Sequence, residues 1–242
     1  MNKEYARYLF VRAGILFFLV LMLFGHREKK VIVSGREAPD KVEVSETDEL
    51  TEKREGFQSP VPFHQLWTEN TEIIGWLFIE GSGINGPILQ SEDNTKYLTA
   101  GYDGKANPAG AFFLDYECES DFSGQHNIIY GHNMKNGSMF HELLNFKKES
   151  YFREHQEIII YTPEKEICLQ PIAVVCTEAD GRRRISDFAD RTEFQSYVAA
   201  MLEGGKYREV RSKDVTRLWS FVTCSYEFED ARTILYAREC DV

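Results

Sequence analysis

Leu218-Trp219-Ser220-Phe221-Val222-Thr223-Cys224 is followed, eight positions after its cysteine, by Arg232-Thr233-Ile234-Leu235-Tyr236-Ala237-Arg238. Both stretches are apolar, aromatic and β-branched with polar residues interleaved, the composition of strands. A strand ending on Cys, a short loop and a returning strand opening on Arg bring a thiol and a guanidinium to one end of a sheet. Strand character recurs at 76–79, 111–114, 127–130, 157–161 and 167–176. Gly81-Ser82-Gly83 and Asn85-Gly86-Pro87 read as turns. The segments 63–67 and 73–77 bracket a helix with a polar turn at 68–72. Ser138 is placed to cap a second helix over 139–146. A third covers 191–203, where Phe194, Tyr197, Val198, Met201 and Leu202 recur at helical spacing before Gly204-Gly205 ends it. The fold class is mainly β with a few helices, and a barrel is the simplest way to close such a sheet.

The length of 242 residues suits one domain with appendages, and 43% hydrophobic residues suit an ordinary core. A net charge of −11 argues against nucleic acid as a partner. Cysteines stand at 118, 168, 176, 224 and 240 with no C-x-x-C pair. No zinc pattern fits, no metal or cofactor is expected, no disulfide framework is implied, and the odd count leaves at least one thiol free. Residues 13–25 carry no charge. That run is shorter than the roughly 20 apolar residues that cross a bilayer, so a secretory signal competes with a membrane anchor. No small-x-small cleavage site follows Phe24, which favours an uncleaved anchor over 1–25. Residues 26–57 are charged and poor in large apolar side chains, and read as a stalk.

Asn127-Ile128-Ile129-Tyr130-Gly131-His132-Asn133-Met134 adds an imidazole. Cys224 as nucleophile, His132 as general acid and base, and Arg232 as oxyanion stabiliser are equipment for acyl transfer. Taken singly, each has a plainer reading: a buried small hydrophobe, a structural histidine, a surface charge. The order His, Cys, Arg departs from papain-like proteases, and the caspase run Gln-Ala-Cys-x-Gly is absent.

Several motifs in one order shift the balance. Tyr130-Gly131-His132-Asn133-Met134, Ser220-Phe221-Val222-Thr223-Cys224 through Arg232, Ile74-Gly75-Trp76-Leu77, Gln90-Ser91-Glu92-Asp93-Asn94 to Tyr97-Leu98, and Gly110-Ala111-Phe112-Phe113-Leu114-Asp115 together resemble the class B sortases over residues 58–240. The family's Thr-Leu-x-Thr-Cys signature is altered here to Ser-Phe-Val-Thr-Cys. The resemblance implies a closed β-barrel with an N-terminal helix and a further helix between the late strands, occupying residues 58–242. It implies a membrane-anchored cysteine transpeptidase, single-pass, with its catalytic domain extracellular. That enzyme would cleave a C-terminal sorting signal of Asn-Pro-x-Thr or Ser-Pro-x-Thr type after Thr. The acyl group would pass through a thioester to a peptidoglycan-precursor or pilin amine. Asn94, Leu98, Val222 and Thr223 then correspond to substrate-groove positions. Asn133, Asp115, Glu227 and Asp230 receive no role, and alanine at His126 or His141 is expected to be tolerated. A cysteine endopeptidase and a catalytically silent membrane-tethered binding module are the alternatives.

Overall fold

In strand β7 (Leu218–Cys224), Trp219 and Phe221 enter the barrel core while Leu218 packs outside it. This period-two alternation sets the faces of the whole sheet. The computed structural model describes residues 57–208 and 210–241. Within them the other strands are β1 (Ile73–Phe78), β2 (Asn85–Leu89), β3 (Phe112–Leu114), β4 (His126–Tyr130), β5 (Ile158–Tyr161), β6 (Glu166–Glu178) and β8 (Ala231–Glu239). They close into a barrel in the order β1-β2-β3-β4-β7-β8-β6-β5. The barrel and the helix between late strands are as expected. β7 lies between β4, to which it runs parallel, and β8, to which it runs antiparallel.

Helix α1 (Phe63–Glu69) packs on the outer sheet face through Phe63, which joins Ile73, Leu89 and Tyr97. A short helix α2 (Lys96–Thr99) precedes β3. A 3₁₀ helix (Phe140–Lys147) and α3 (Glu149–Glu154) fill the connection from β4 to β5. Helix α4 (Arg191–Met201) is capped by the Asp190 carboxylate, which accepts from Glu193 N at 2.9 Å. It lays Phe194, Val198 and Leu202 on Ile172, Ile234 and Tyr236 of the outer sheet face. Burying each such side chain contributes about 1.5–3 kcal/mol.

Four local expectations differ. Asn85-Gly86-Pro87 is strand, not turn: Pro87 stands opposite Trp76, one residue before pairing with β3 begins, where a missing N–H is tolerated. Ser138 caps nothing; its hydroxyl donates to Asn136 Oδ1 at 2.7 Å, and the 3₁₀ helix starts after Met139 at φ 57°. The helix α3 was not foreseen. Cys168 and Cys240 form a disulfide across 72 residues, with Cα atoms 5.5 Å apart. The β6–β8 register, Leu169 opposite Glu239, brings these two cysteines together, and that register is invisible in spacing alone. Closing a loop of this length contributes about 4 kcal/mol in the chain-entropy account.

The expected single-pass membrane location is not supported. No helix among the described residues is long and apolar enough to cross a membrane. The longest α-helix among the described residues, α4, has 11 residues, about 16 Å against a hydrocarbon core of about 30 Å. The segment 1–25 read as an anchor, and all but the last residue of the 26–57 stalk, lie outside the described residues.

Candidate active site

Strand register sets Cys224 beside Arg232 and brings the end of β4, just before His132, alongside them. Cys224 ends β7 directly opposite Arg232 on β8. On the other side Tyr130 of β4 pairs with Val222. His132 follows two residues beyond the end of β4, and its neighbour Asn133 bonds the Cys224 carbonyl. Pairing partners share a face, so Cys224 and Arg232 lie on the outer face of adjacent strands, about 4.8 Å apart.

Each position has a local cause. Gly131, before the histidine, has no room for a side chain: a Cβ there would lie 2.7 Å from Phe140 Cδ2 and 2.8 Å from Phe112 Cδ1. The His132 Nε2 is 2.7 Å from the Leu98 carbonyl. A carbonyl only accepts, so Nε2 carries the proton and Nδ1 is the nitrogen left for proton transfer. Gly110 allows this approach, since at φ 60° a Cβ would come within 2.3 Å of the Tyr97 carbonyl. Arg232 Nη1 donates to the carbonyls of Asp230 and Ala231 at 3.1 and 3.0 Å. The guanidinium keeps Nε and Nη2 for other acceptors. Asn133 Nδ2 donates to the Cys224 carbonyl at 2.9 Å.

The expected groove residues divide. Val222 is half-buried on the same face as Cys224. Leu98 is 39% exposed and offers its carbonyl to His132. Asn94 accepts from Tyr116 N at 3.1 Å. Thr223, expected beside the thiol, is only 2% exposed, and its hydroxyl donates to Gly131 O at 2.8 Å. One residue of a strand reverses the face, so Thr223 steadies the Gly131-His132 segment from within.

Among the three thiols, two are poor nucleophiles. Burial pushes Cys118 up to about 12. Desolvation and the Glu227 carboxylate raise Cys176. Cys224 is half-exposed at the strand end.

No protein-family model matches the chain. It is 31% identical to Sortase B of Listeria monocytogenes over 174 residues, 70% of each chain. The chain is a class B sortase. Sortase B of Staphylococcus aureus is 24% identical over 237 residues, 93% of each chain. The sortase also superposes on Bacillus anthracis sortase B in complex with AAEK2, with a TM-score of 0.68 and 28% identity over 77% of this chain and 89% of that one. Clostridium perfringens sortase B shares the fold, with a TM-score of 0.69 and 24% identity, over 74% of this chain and all of that one. The sortase is accordingly a cysteine transpeptidase.

Two buried clusters brace the sortase site and were missed in the sequence. Asp115, fully buried, accepts from Arg184 Nε at 3.0 Å and Nη2 at 3.2 Å, from Tyr130 Oη at 2.7 Å and from Glu117 N at 3.1 Å. Burial alone would raise its pKa; Arg184, Tyr130 and Asn94 outweigh it and hold the carboxyl below the usual range. This cluster ties the ends of β3 and β4 to the 3₁₀ turn Gly181–Arg184.

His126, expected to be dispensable, is fully buried. Its Nδ1 donates to Ile185 O at 2.8 Å, and its Nε2 accepts from Ser220 Oγ at 2.7 Å. Desolvation lowers its pKa from 6.5 to about 4. Between those values the unfolded chain holds the extra proton and the folded one does not, so stability falls as pH falls. The sortase is expected to lose about 3 kcal/mol between pH 6.5 and 4 through this residue. Asp115 adds loss only below the ordinary carboxylate range. Thermal melts across that window should show the slope, and His126→Gln should flatten it. An unchanged slope in the variant would assign it to other groups.

Proposed function

We propose that the sortase cleaves a C-terminal sorting signal after threonine, through a thioester on Cys224, and passes the acyl group to an amine. The pairing of Cys224 with Arg232, with His132 just past the end of β4 and its neighbour Asn133 bonded to the Cys224 carbonyl, carries this reading. The Cys224 sulfur attacks the threonine carbonyl, and Arg232 stabilises the oxyanion through its fixed positive charge. His132 Nδ1 takes the proton of the Cys224 thiol as the sulfur attacks and delivers it to the leaving amine. An incoming amine then attacks the thioester with the same nitrogen as base. Asn94, Leu98 and Val222 contact the signal peptide, and Thr223 acts through the Gly131 carbonyl. Residues 58–242 form the catalytic domain. The signal is of Asn-Pro-x-Thr or Ser-Pro-x-Thr type, on surface proteins. The acceptor is a cell-wall or protein amine.

Mass analysis of products from such a peptide, with and without an amine acceptor, tests this. The expected result is a ligated product that displaces the free acid as amine rises. Acid alone at every amine concentration would mean an endopeptidase. No turnover, and thiol labelling that ignores His132, would mean a binding module.

In the same assay Arg232→Ala and Arg232→Lys are each expected to lower kcat by about 10²–10³. Lysine is a flexible point charge without the guanidinium fork, so it should not rescue. Arg238→Ala is the control, because Arg238 bonds Asp241 and Gln170 opposite Leu218, at the far end of the strand. Near wild-type turnover in Arg232→Ala would return Arg232 to a surface charge.

A further inference from the structure

The parallel ladder between β4 and β7 ends with Gly131 N donating to Val222 O at 3.2 Å. The next rung would run from residue 133 to the Cys224 carbonyl. It is made instead by the Asn133 side chain, whose Nδ2 lies 2.9 Å from that oxygen. On the amide's other side, His141 Nδ1 lies 2.7 Å from Asn133 Oδ1. The Cys224 carbonyl can only accept, so Nδ2 must face it and Oδ1 must face His141. His141 Nδ1 must therefore carry a proton, which both the Nδ1–H tautomer and the imidazolium supply.

The chain between these two residues folds tightly back. Asn133 bridges Met139, and Phe140 N donates to His132 O at 2.8 Å. Met139 is held at φ 57° and ψ −138°, a region that side-chain-bearing residues rarely enter. So strained a turn persists where its ends are tied down, and Asn133 is one tie.

We propose that Asn133, oriented by His141, is a positioning residue for the transfer reaction. It locks the main chain of Cys224 to the segment bearing His132 and so sets their separation. This rests on the reading that Cys224 and His132 perform the chemistry, and Cys224→Ala in the same assay checks that reading separately.

The test measures kcat, KM and melting temperature for four variants of the full chain. Asn133→Ala removes the rung. Asn133→Asp sets an oxygen against the Cys224 carbonyl. His141→Asn places an amide nitrogen where Nδ1 stood and can still donate. His141→Asp cannot donate and favours the flipped amide. Asn133→Ala, Asn133→Asp and His141→Asp are expected to lose about tenfold to a hundredfold in kcat with KM little changed, the scale of a misplacement of about 1 Å. His141→Asn is expected to stay within about threefold of wild type, well clear of that loss. A merely structural role would lower melting temperature without separating His141→Asn from His141→Asp in kcat. Equal kcat in those two overturns the proposal even if the Asn133 variants fail to fold. Wild-type kcat in Asn133→Ala, with Cys224→Ala dead, overturns it while leaving the assignment of Cys224 intact.

Discussion

Cys224→Ala is expected to abolish both cleavage and transfer, to below about one part in 10⁴ of wild-type turnover, the scale on which losing the nucleophile of a catalytic set is felt. The thioester needs the sulfur, and the other thiols are poor substitutes: Cys118 is buried with its pKa pushed up to about 12, and Cys176 is raised as well. The fold should be indifferent. The bond that ties Cys224 to Asn133 runs through its carbonyl, and its pairing with Arg232 is main-chain; alanine keeps both. Melting temperature should therefore stay within a few degrees. Peptide cleavage and circular dichroism on one sample check the two halves together. Measurable turnover in a folded Cys224→Ala protein would show that another group is the nucleophile.

The second large effect is expected at His132. Loss of a general acid and base costs about 10²–10⁴ in rate, and in the proposed reaction one nitrogen serves both half-reactions. Among the described residues the ring makes one hydrogen bond, from Nε2 to the Leu98 carbonyl, so His132→Ala should fold normally. His126→Gln is the informative contrast. It removes a ring buried between Ile185 and Ser220, and should lower stability while leaving the turnover of the folded fraction close to wild type. If His126→Gln were the inactive protein and His132→Ala the active one, the acid–base assignment would pass to the buried residue.

How much could be read without coordinates depends on the range of the physics involved. The strands ending at Cys224 and beginning at Arg232 were legible because alternation is local, and the helix of α4 because its apolar spacing and Gly204 are local too. The Asn85-Gly86-Pro87 strand was not legible. Its residues say turn, and only pairing with β1 draws them extended. His126 offers no local sign of burial, since what buries it is α4 and the Ile185 carbonyl, some sixty residues away.

The amino-acid order by itself supplied the candidate chemistry: a thiol and a guanidinium at facing strand ends and an imidazole just past a third, within recognisable flanks. Side-chain type and strand period are properties of a few consecutive residues. Tertiary structure alone decided which groups surround them. Barrel closure set the register that faces Cys224 with Arg232, paired Cys168 with Cys240, turned Thr223 inward, and brought His141 to the amide of Asn133. Those are contacts between distant segments, and register is chosen by the summed burial of the whole sheet rather than by any one stretch.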